Sequence, residues 1–199
     1  MNRVEQNQVR QMMFQMETPT QKRIDSDYYV EGYATTFEPY VLFKTDDGKP
    51  VYERISPQAF AGANMEDVIF QYDHEGRVFA RTSNDTLGLE IDDKGLFIYA
   101  DLSKTEGSRA LFEDIRCGLV TKMSWKFRIA PNGDEYDAKT RTFTINKVSD
   151  VYDVSAVSIP ANNQTSISAR KNDIENLKQR KERDLKKKKL QLKLKLGGI

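Results

Sequence analysis

The sequence predicts a mainly β domain of the α+β class, with its strands arranged as a barrel or a sandwich. Three short strand patterns follow one another over residues 77–82, 86–91 and 95–102, and Asn, Asp and Gly residues separate them as turns. A single helical pattern, over residues 104–117, follows these strands. With 199 residues, the chain is long enough for one such domain and its tails.

The first part of the chain contains three more predicted strands before this series. Residues 28–37 are rich in aromatic and β-branched side chains, which is typical of a strand, and residues 38–50 are predicted to be a loop. Residues 51–55 form a short strand, and Ser-Pro then opens a predicted short helix over residues 56–62. The apolar strand over residues 68–72 completes this part.

The predicted helix over residues 104–117 has apolar residues at helical spacing, among them Leu111 and Ile115. Gly118 follows as a C-terminal cap. Residues 131–139 are predicted to be a turn region.

The final strands of the domain are expected at residues 142–148 and 151–159. A charged helix is predicted from about Asn172 to Lys189. Apolar and polar residues alternate over residues 190–196, and this segment is an edge strand, a docking segment or disordered.

The segment over residues 119–129 is predicted to be a strand with two different faces. Its apolar face carries Met123, Trp125 and Phe127, and its polar face carries Ser124, Lys126 and Arg128. The apolar face is expected in the core. Ser124 is then either an ordinary polar residue or a nucleophile held on a rigid support.

Charge divides the chain into a body and a tail. Residues 170–199 contain 12 Lys/Arg and 4 Asp/Glu, a net charge of +8, whereas residues 1–169 contain 19 and 26, a net charge of −7. We predict a mobile arm over residues 1–27, a domain over residues 28–169 and a basic, partly helical tail over residues 170–199. The tail is either simply solvated or contacts nucleic acid or an acidic protein surface.

Several classes of protein are not expected from the composition. No apolar run approaches the length of a membrane span, and the first residues lack the apolar core of a secretory signal. One cysteine and one histidine give neither a disulfide framework nor a Cys/His zinc site, and a reducing compartment fits. No nucleotide-binding or metalloprotease motif is present, so we expect no cofactor and no metal.

His74, the single histidine, follows the strand over residues 68–72 and is the natural general base of an enzyme working near neutral pH. A serine nucleophile needs such a base and a third group to orient it. Asp153 is the best candidate for that group because it interrupts an apolar strand; Asp150 is a weaker one. Without a catalytic role, Asp153 would pair with a basic side chain or face solvent.

Cys117 is an alternative nucleophile. Its expected place at the C-terminal end of a helix argues against it, because the helix dipole there disfavours a thiolate. No serine lies in a G-x-S-x-G elbow, so an α/β-hydrolase is not expected.

Three segments together resemble the prohead proteases of tailed phages, which are capsid maturation proteases. FQYDHEGRVFARTSNDTLGLEIDDKGLFIYADL (residues 70–102) is similar to the histidine segment of the family, and GLVTKMSWKF (residues 118–127) to its nucleophile strand. VYDVSAVSIPANNQTSI (residues 151–167) is similar to its acid segment, and the resemblance extends over about residues 28–170.

The resemblance implies a serine endopeptidase with an assemblin-like β-barrel surrounded by helices, the fold of the herpesvirus assembly protease. It implies Ser124 as nucleophile, His74 as base and, in place of the second histidine of the herpesvirus enzymes, Asp153 as third member. Lys126 departs from the small residue that the family often has there. Arg128 is a guess for oxyanion stabilisation.

The implied partners are the major capsid protein with its scaffold segment and the protease itself, inside the prohead in the host cytoplasm. No membrane is expected as a partner, nucleic acid is not favoured, and a homo-oligomer is left open. The alternative function is a non-catalytic β-barrel that scaffolds or binds capsid protein.

Overall fold

The computed structural model describes residues 8–13, 22–158 and 182–191. In chain order its strands are β1 (Gln8–Met13), β2 (Tyr29–Thr36), β3 (Tyr40–Lys44), β4 (Pro50–Ile55), β5 (Ile69–Tyr72), β6 (Glu75–Arg81), β7 (Leu87–Ile91), β8 (Gly95–Asp101), β9 (Lys122–Ile129), β10 (Asp134–Asp137), β11 (Thr142–Ile145) and β12 (Val148–Val157). A 3-10 turn spans Thr82–Asn84, helix α1 spans Glu106–Arg116, and residues 182–191 are helical. The mainly β, α+β prediction is therefore confirmed.

The strands form three sheets. The first has the order β1-β9-β12-β5-β6, the second β2-β8-β7 and the third β10-β11-β4-β3. Within the described residues no ladder closes these sheets into a barrel, so the structure does not confirm the barrel expected from the sequence.

All three sheets contribute to the main hydrophobic core, the third through Ile55 and Ile145, and α1 adds Leu111 and Ile115. The four-stranded sheet has a smaller core around Phe43 and Phe143. Burial of these apolar side chains is the main force that holds the sheets against one another.

The predicted helix and its cap are confirmed. The Thr105 hydroxyl accepts a hydrogen bond from the Ser108 amide at 3.1 Å and begins α1, and Leu111 and Ile115 lie on its buried face. Gly118 has a φ of +79°, a conformation that glycine adopts without strain, and it follows the last residues of the helix.

Three local predictions were wrong. The helix predicted over residues 56–62 is a series of turns, because its amides bond to the carbonyl three residues earlier, as Ala59 does to Ser56 at 2.8 Å. The loop predicted over residues 38–50 contains β3, which pairs with β4, and the turn region over residues 131–139 contains β10. Both segments are short, and each pairs through its main chain with a neighbouring strand.

The segments near the two ends of the chain agree with the prediction only in part. Residues 8–13, inside the predicted mobile arm, form β1 and pair with β9. Their sequence, QVRQMM, has no regular alternation of apolar and polar residues, so side-chain periodicity did not indicate this strand. Residues 182–191 fall within or beside the predicted charged helix, whereas its start and most of the alternating segment lie outside the described residues. Over the described ranges, no helix has both the length and the apolar character needed to span a bilayer.

Candidate active site

Ser124 lies in the middle of β9, on a strand anchored from its other face. Met123, Trp125 and Phe127 are all fully buried, and the rings of Trp125 and Phe127 stack with their centroids 3.8 Å apart. The apolar face predicted from the sequence is therefore confirmed. Ser124 is itself 0% exposed, so its side chain is also shielded from solvent.

Asp153 lies on β12, the neighbour of β9 in the sheet. The antiparallel register places Ser155 opposite Ser124 and Asp153 opposite Lys126, with an irregularity between Val151 and Asp153. Asp153 is 2% exposed, and its Oδ1 accepts a hydrogen bond from the Ser155 hydroxyl at 2.7 Å. Strand alternation thus brings Asp153 and Ser155 to the same face as Ser124.

His74 lies in the tight turn that joins β5 to β6, and β5 is the parallel neighbour of β12. Asp73 and His74 have φ values of +51° and +61°, and they connect the paired residues Tyr72 and Glu75. Two successive residues with positive φ are characteristic of a type I′ hairpin turn, which usually contains Asn and Gly. Such a conformation costs free energy in other residues and is often found at functional sites.

The Asp73 side chain secures this turn to the end of β12. Its carboxylate accepts hydrogen bonds from the amide and the hydroxyl of Ser158, at 3.0 and 2.7 Å, and its own amide donates to the Ala156 carbonyl at 2.9 Å. These contacts offset the cost of the positive φ values and fix the position from which the His74 ring projects.

The structure brings together the three residues that the sequence singled out. His74 Nε2 lies 2.6 Å from Ser124 Oγ, and His74 Nδ1 lies 2.5 Å from Asp153 Oδ1. A carboxylate can only accept, so Asp153 holds the ring with a proton on Nδ1. In the neutral ring this leaves the Nε2 lone pair facing the serine hydroxyl, the arrangement needed to remove its proton.

A further contact at Ser124 comes from β1 and was not anticipated. The Ser124 hydroxyl donates a hydrogen bond to the main-chain carbonyl of Arg10 at 2.7 Å. The Arg10 side chain forms a buried ion pair with Glu53 of β4. Burial opposes the Arg10 charge, but the adjacent Glu53 carboxylate outweighs it and raises the pKa of the guanidinium above its ordinary value.

The other candidates lie elsewhere. Asp150 accepts a hydrogen bond from the Ser149 hydroxyl at 2.7 Å and lies 4.0 Å from Arg128. Arg128 lies over the Tyr152 ring. It is four residues from Ser124 along β9, a distance of about 13 Å, so the structure gives no support for a role of Arg128 in oxyanion stabilisation. Cys117 is exposed at the end of α1.

Among the residues described, no group of three or more His, Cys, Asp or Glu side chains is placed to hold a metal ion. Three residues that contact or support the site were not assigned a role from the sequence, namely Asp73, Ser155 and Arg10. Asp73 had the clearest signal, because it directly precedes the histidine at the end of a strand. Arg10 had none, since its contact depends on how β1 pairs.

Comparison with protein families places this geometry in context. The family model of the caudovirus prohead serine proteases matches residues 14–180, most of the chain. The chain belongs to the caudovirus prohead serine protease family. The matched range contains Ser124, His74 and Asp153, whereas Arg10 and β1 precede it. The chain matches no curated protein and no solved structure.

Proposed function

We propose that this chain is a serine endopeptidase that uses Ser124 as nucleophile, His74 as general base and acid, and Asp153 as the group that orients the histidine. The observation that carries the proposal is the position of His74, with one ring nitrogen 2.6 Å from Ser124 Oγ and the other 2.5 Å from Asp153 Oδ1. Membership in a serine protease family supports the same chemistry.

In the first step, Ser124 Oγ attacks the carbonyl carbon of a peptide bond while His74 Nε2 takes the hydroxyl proton. An Oγ–carbon bond forms, and the tetrahedral intermediate carries the negative charge on the former carbonyl oxygen. The carbon–nitrogen bond then breaks, and His74 gives its proton to the leaving amine. The product is an acyl-enzyme and a new amino terminus.

In the second step, water replaces the departed amine. His74 takes a proton from this water as its oxygen attacks the acyl carbon, and the proton returns to Ser124 when the ester bond breaks. Throughout both steps the Asp153 carboxylate accepts from Nδ1 and stabilises the imidazolium that forms. Ser155 assists by donating to the same carboxylate oxygen at 2.7 Å.

The finer aspects of the proposal follow from the family. The substrates are the major capsid protein with its scaffold segment and the protease itself, cleaved inside the prohead in the host cytoplasm. The strands belong to an assemblin-like fold.

The basic tail over residues 170–199, with its net charge of +8 against −7 for the rest, serves as an encapsidation or self-cleavage segment. Truncation after Ala169 should then reduce packaging into proheads or processing; unchanged packaging and processing would contradict this role.

The proposed function is tested by co-expressing the protein with the major capsid protein of its phage and measuring intact masses. The wild type should convert the capsid protein to shorter products, and Ser124→Ala should leave it at full length. A capsid protein that is processed equally by the variant would refute the role of Ser124. Shells that assemble normally without any cleavage by the wild type would favour the alternative function of a scaffold.

A further inference from the structure

Strand β1 lies along β9 as an extended peptide would lie in a substrate groove. It pairs antiparallel with β9 in a register that runs from Gln8 opposite Phe127 to Met13 opposite Lys122. Within this ladder the Arg10 carbonyl accepts the hydrogen bond from Ser124 Oγ at 2.7 Å. The strand therefore offers a main-chain carbonyl to the proposed nucleophile.

The side chain of the same residue occupies a built pocket. The Arg10 guanidinium lies 5.7 Å from the centroid of the Phe127 ring and donates to both carboxylate oxygens of Glu53, through Nε to Oε1 and through Nη2 to Oε2 at 2.9 Å. The Tyr40 hydroxyl also donates to Glu53 Oε1. Glu53 is 0% exposed and Arg10 is 6% exposed, so the charged pair is withdrawn from solvent.

Peptides that add a strand to the edge of a sheet gain affinity from main-chain hydrogen bonds and specificity from side-chain pockets. In a serine endopeptidase, the carbonyl that the nucleophile attacks belongs to the residue just before the cleaved bond. Arg10 combines both features, since its carbonyl contacts Ser124 and its side chain fills the Glu53 pocket.

We propose that β1 occupies the substrate groove and that Glu53, assisted by Tyr40, is the specificity-determining residue that selects an arginine immediately before the cleaved bond. This inference rests on the proposed function, because it assigns the substrate class of the same site. A buried carboxylate binds the planar guanidinium through two parallel hydrogen bonds. A substrate without this group would leave the Glu53 charge buried and without that partner, which is strongly unfavourable.

The contacts of Ser124 show why β1 can rest in the groove. A hydroxyl has one hydrogen, so Ser124 cannot donate to the Arg10 carbonyl and to His74 Nε2 at the same time. When it donates to Arg10, its proton is not available to His74. The occupied groove is thus a bound, non-attacking arrangement, and a substrate must displace β1 to enter.

The test is to digest purified capsid precursor with the full-length protein and to map every new terminus by mass spectrometry. With the wild type, each cut should directly follow an arginine. Glu53→Gln, which keeps the shape of the side chain but removes its charge, should lower the cleavage rate at these sites at least about tenfold. Arg54→Gln, a change on the neighbouring residue of β4, serves as the matched control and should leave the rate unchanged.

A variant of the substrate provides a second test, which does not depend on whether the Glu53→Gln protein folds. Replacing the arginine before a mapped cut in the capsid precursor by glutamine should slow cleavage there by a similar factor in the wild-type enzyme. Cuts that follow other residues, or equal rates with Glu53→Gln or with the altered substrate, would overturn the inference while the protease function stands. A wild type that cuts nothing would instead refute the proposed function and this inference with it.

Discussion

Asp153 makes two contributions to the proposed mechanism, the orientation of His74 and the stabilisation of its charge. Asp153 Oδ1 lies 2.5 Å from His74 Nδ1 and also accepts from the Ser155 hydroxyl at 2.7 Å. Asp153→Asn keeps the shape of the side chain but removes its negative charge. The amide nitrogen can also donate to Nδ1, which places the ring proton on Nε2, so loss of the charge is the smallest effect of this variant.

The magnitude follows from the distance between the charges. The imidazolium and the carboxylate would be about 4 Å apart from centre to centre, and at an effective dielectric constant of about 20 their attraction is about 4 kcal/mol. This corresponds to a loss of at least about a thousandfold in kcat for Asp153→Asn. Asp153→Ala removes the charge and also the acceptor that orients the ring, and we expect the same lower limit for it.

Initial rates of capsid precursor cleavage, measured with saturating substrate, provide the assay. Asp150→Asn is the matched control, because Asp150 is a carboxylate of the same strand that contacts Ser149 and Arg128. It should retain wild-type kcat to within about a factor of two. An Asp153→Ala protein that remains folded and keeps more than about a tenth of wild-type kcat would refute the role assigned to Asp153.

Three other predictions concern the turn that carries His74, the pH dependence of stability and the alternative nucleophile. Asp73→Ala should lower kcat about tenfold with little change in KM, because the turn carrying His74 loses its hydrogen bonds to Ser158. Asp73→Asn should restore most of the lost kcat, since asparagine tolerates positive φ and still accepts hydrogen bonds. Equal kcat in both variants would contradict this role of Asp73. Burial opposes ionisation of Asp101, but hydrogen bonds from neighbouring side chains and from the Ser103 amide prevail and lower the pKa of Asp101 from 3.8 to about 2. The ionised carboxylate therefore stabilises the fold above about pH 4, and this stabilisation is lost as the pH falls toward 2. Urea unfolding should therefore show a constant difference between wild type and Asp101→Asn from pH 5 to 7 that shrinks below pH 4, whereas a difference that grows there would be inconsistent with a lowered pKa. Cys117→Ser should leave cleavage unchanged, because Cys117 lies exposed at the end of α1, and a variant without activity would revive a thiol nucleophile.

Much of the core could be predicted from side-chain patterns. The alternation around Ser124 predicted which face of β9 is buried, and the aromatic and β-branched residues predicted β2. Both signals arise because burial selects apolar residues at the period of the element. The helix α1 was predicted in the same way, and Gly118 correctly indicated its end.

The strands that were missed have a different origin. β10 is short and polar, whereas β3 is short and mostly apolar but lies in a segment with turn signals; each pairs with a neighbouring strand, β11 and β4 respectively. The barrel was an expectation from the even spacing of strands, and spacing does not specify which edges pair. A sheet order such as β9-β12-β5, with one antiparallel and one parallel contact, depends on distant parts of the chain.

The candidate site shows the same division. Residue type and strand position made Ser124, His74 and Asp153 candidates, because each chemical role admits few side chains and the chain has one histidine. The resemblance to the prohead proteases was needed to prefer a catalytic role for Ser124 and Asp153 over an ordinary structural one. The strained turn at Asp73 and the placement of Arg10 at Ser124 could not be predicted, since both arise from contacts between segments far apart in the sequence.

The most direct test of the central claim is covalent labelling of Ser124 by a fluorophosphonate, a reagent that modifies activated serines. Labelling is followed by peptide mass mapping, in a preparation that also cleaves the capsid precursor. We predict that the wild type carries the adduct on Ser124, that labelling abolishes cleavage, and that His74→Ala, which lacks the base, takes up the label far more slowly. An active preparation with no adduct on Ser124, or with an adduct on another residue that accounts for the loss of cleavage, would contradict the claim.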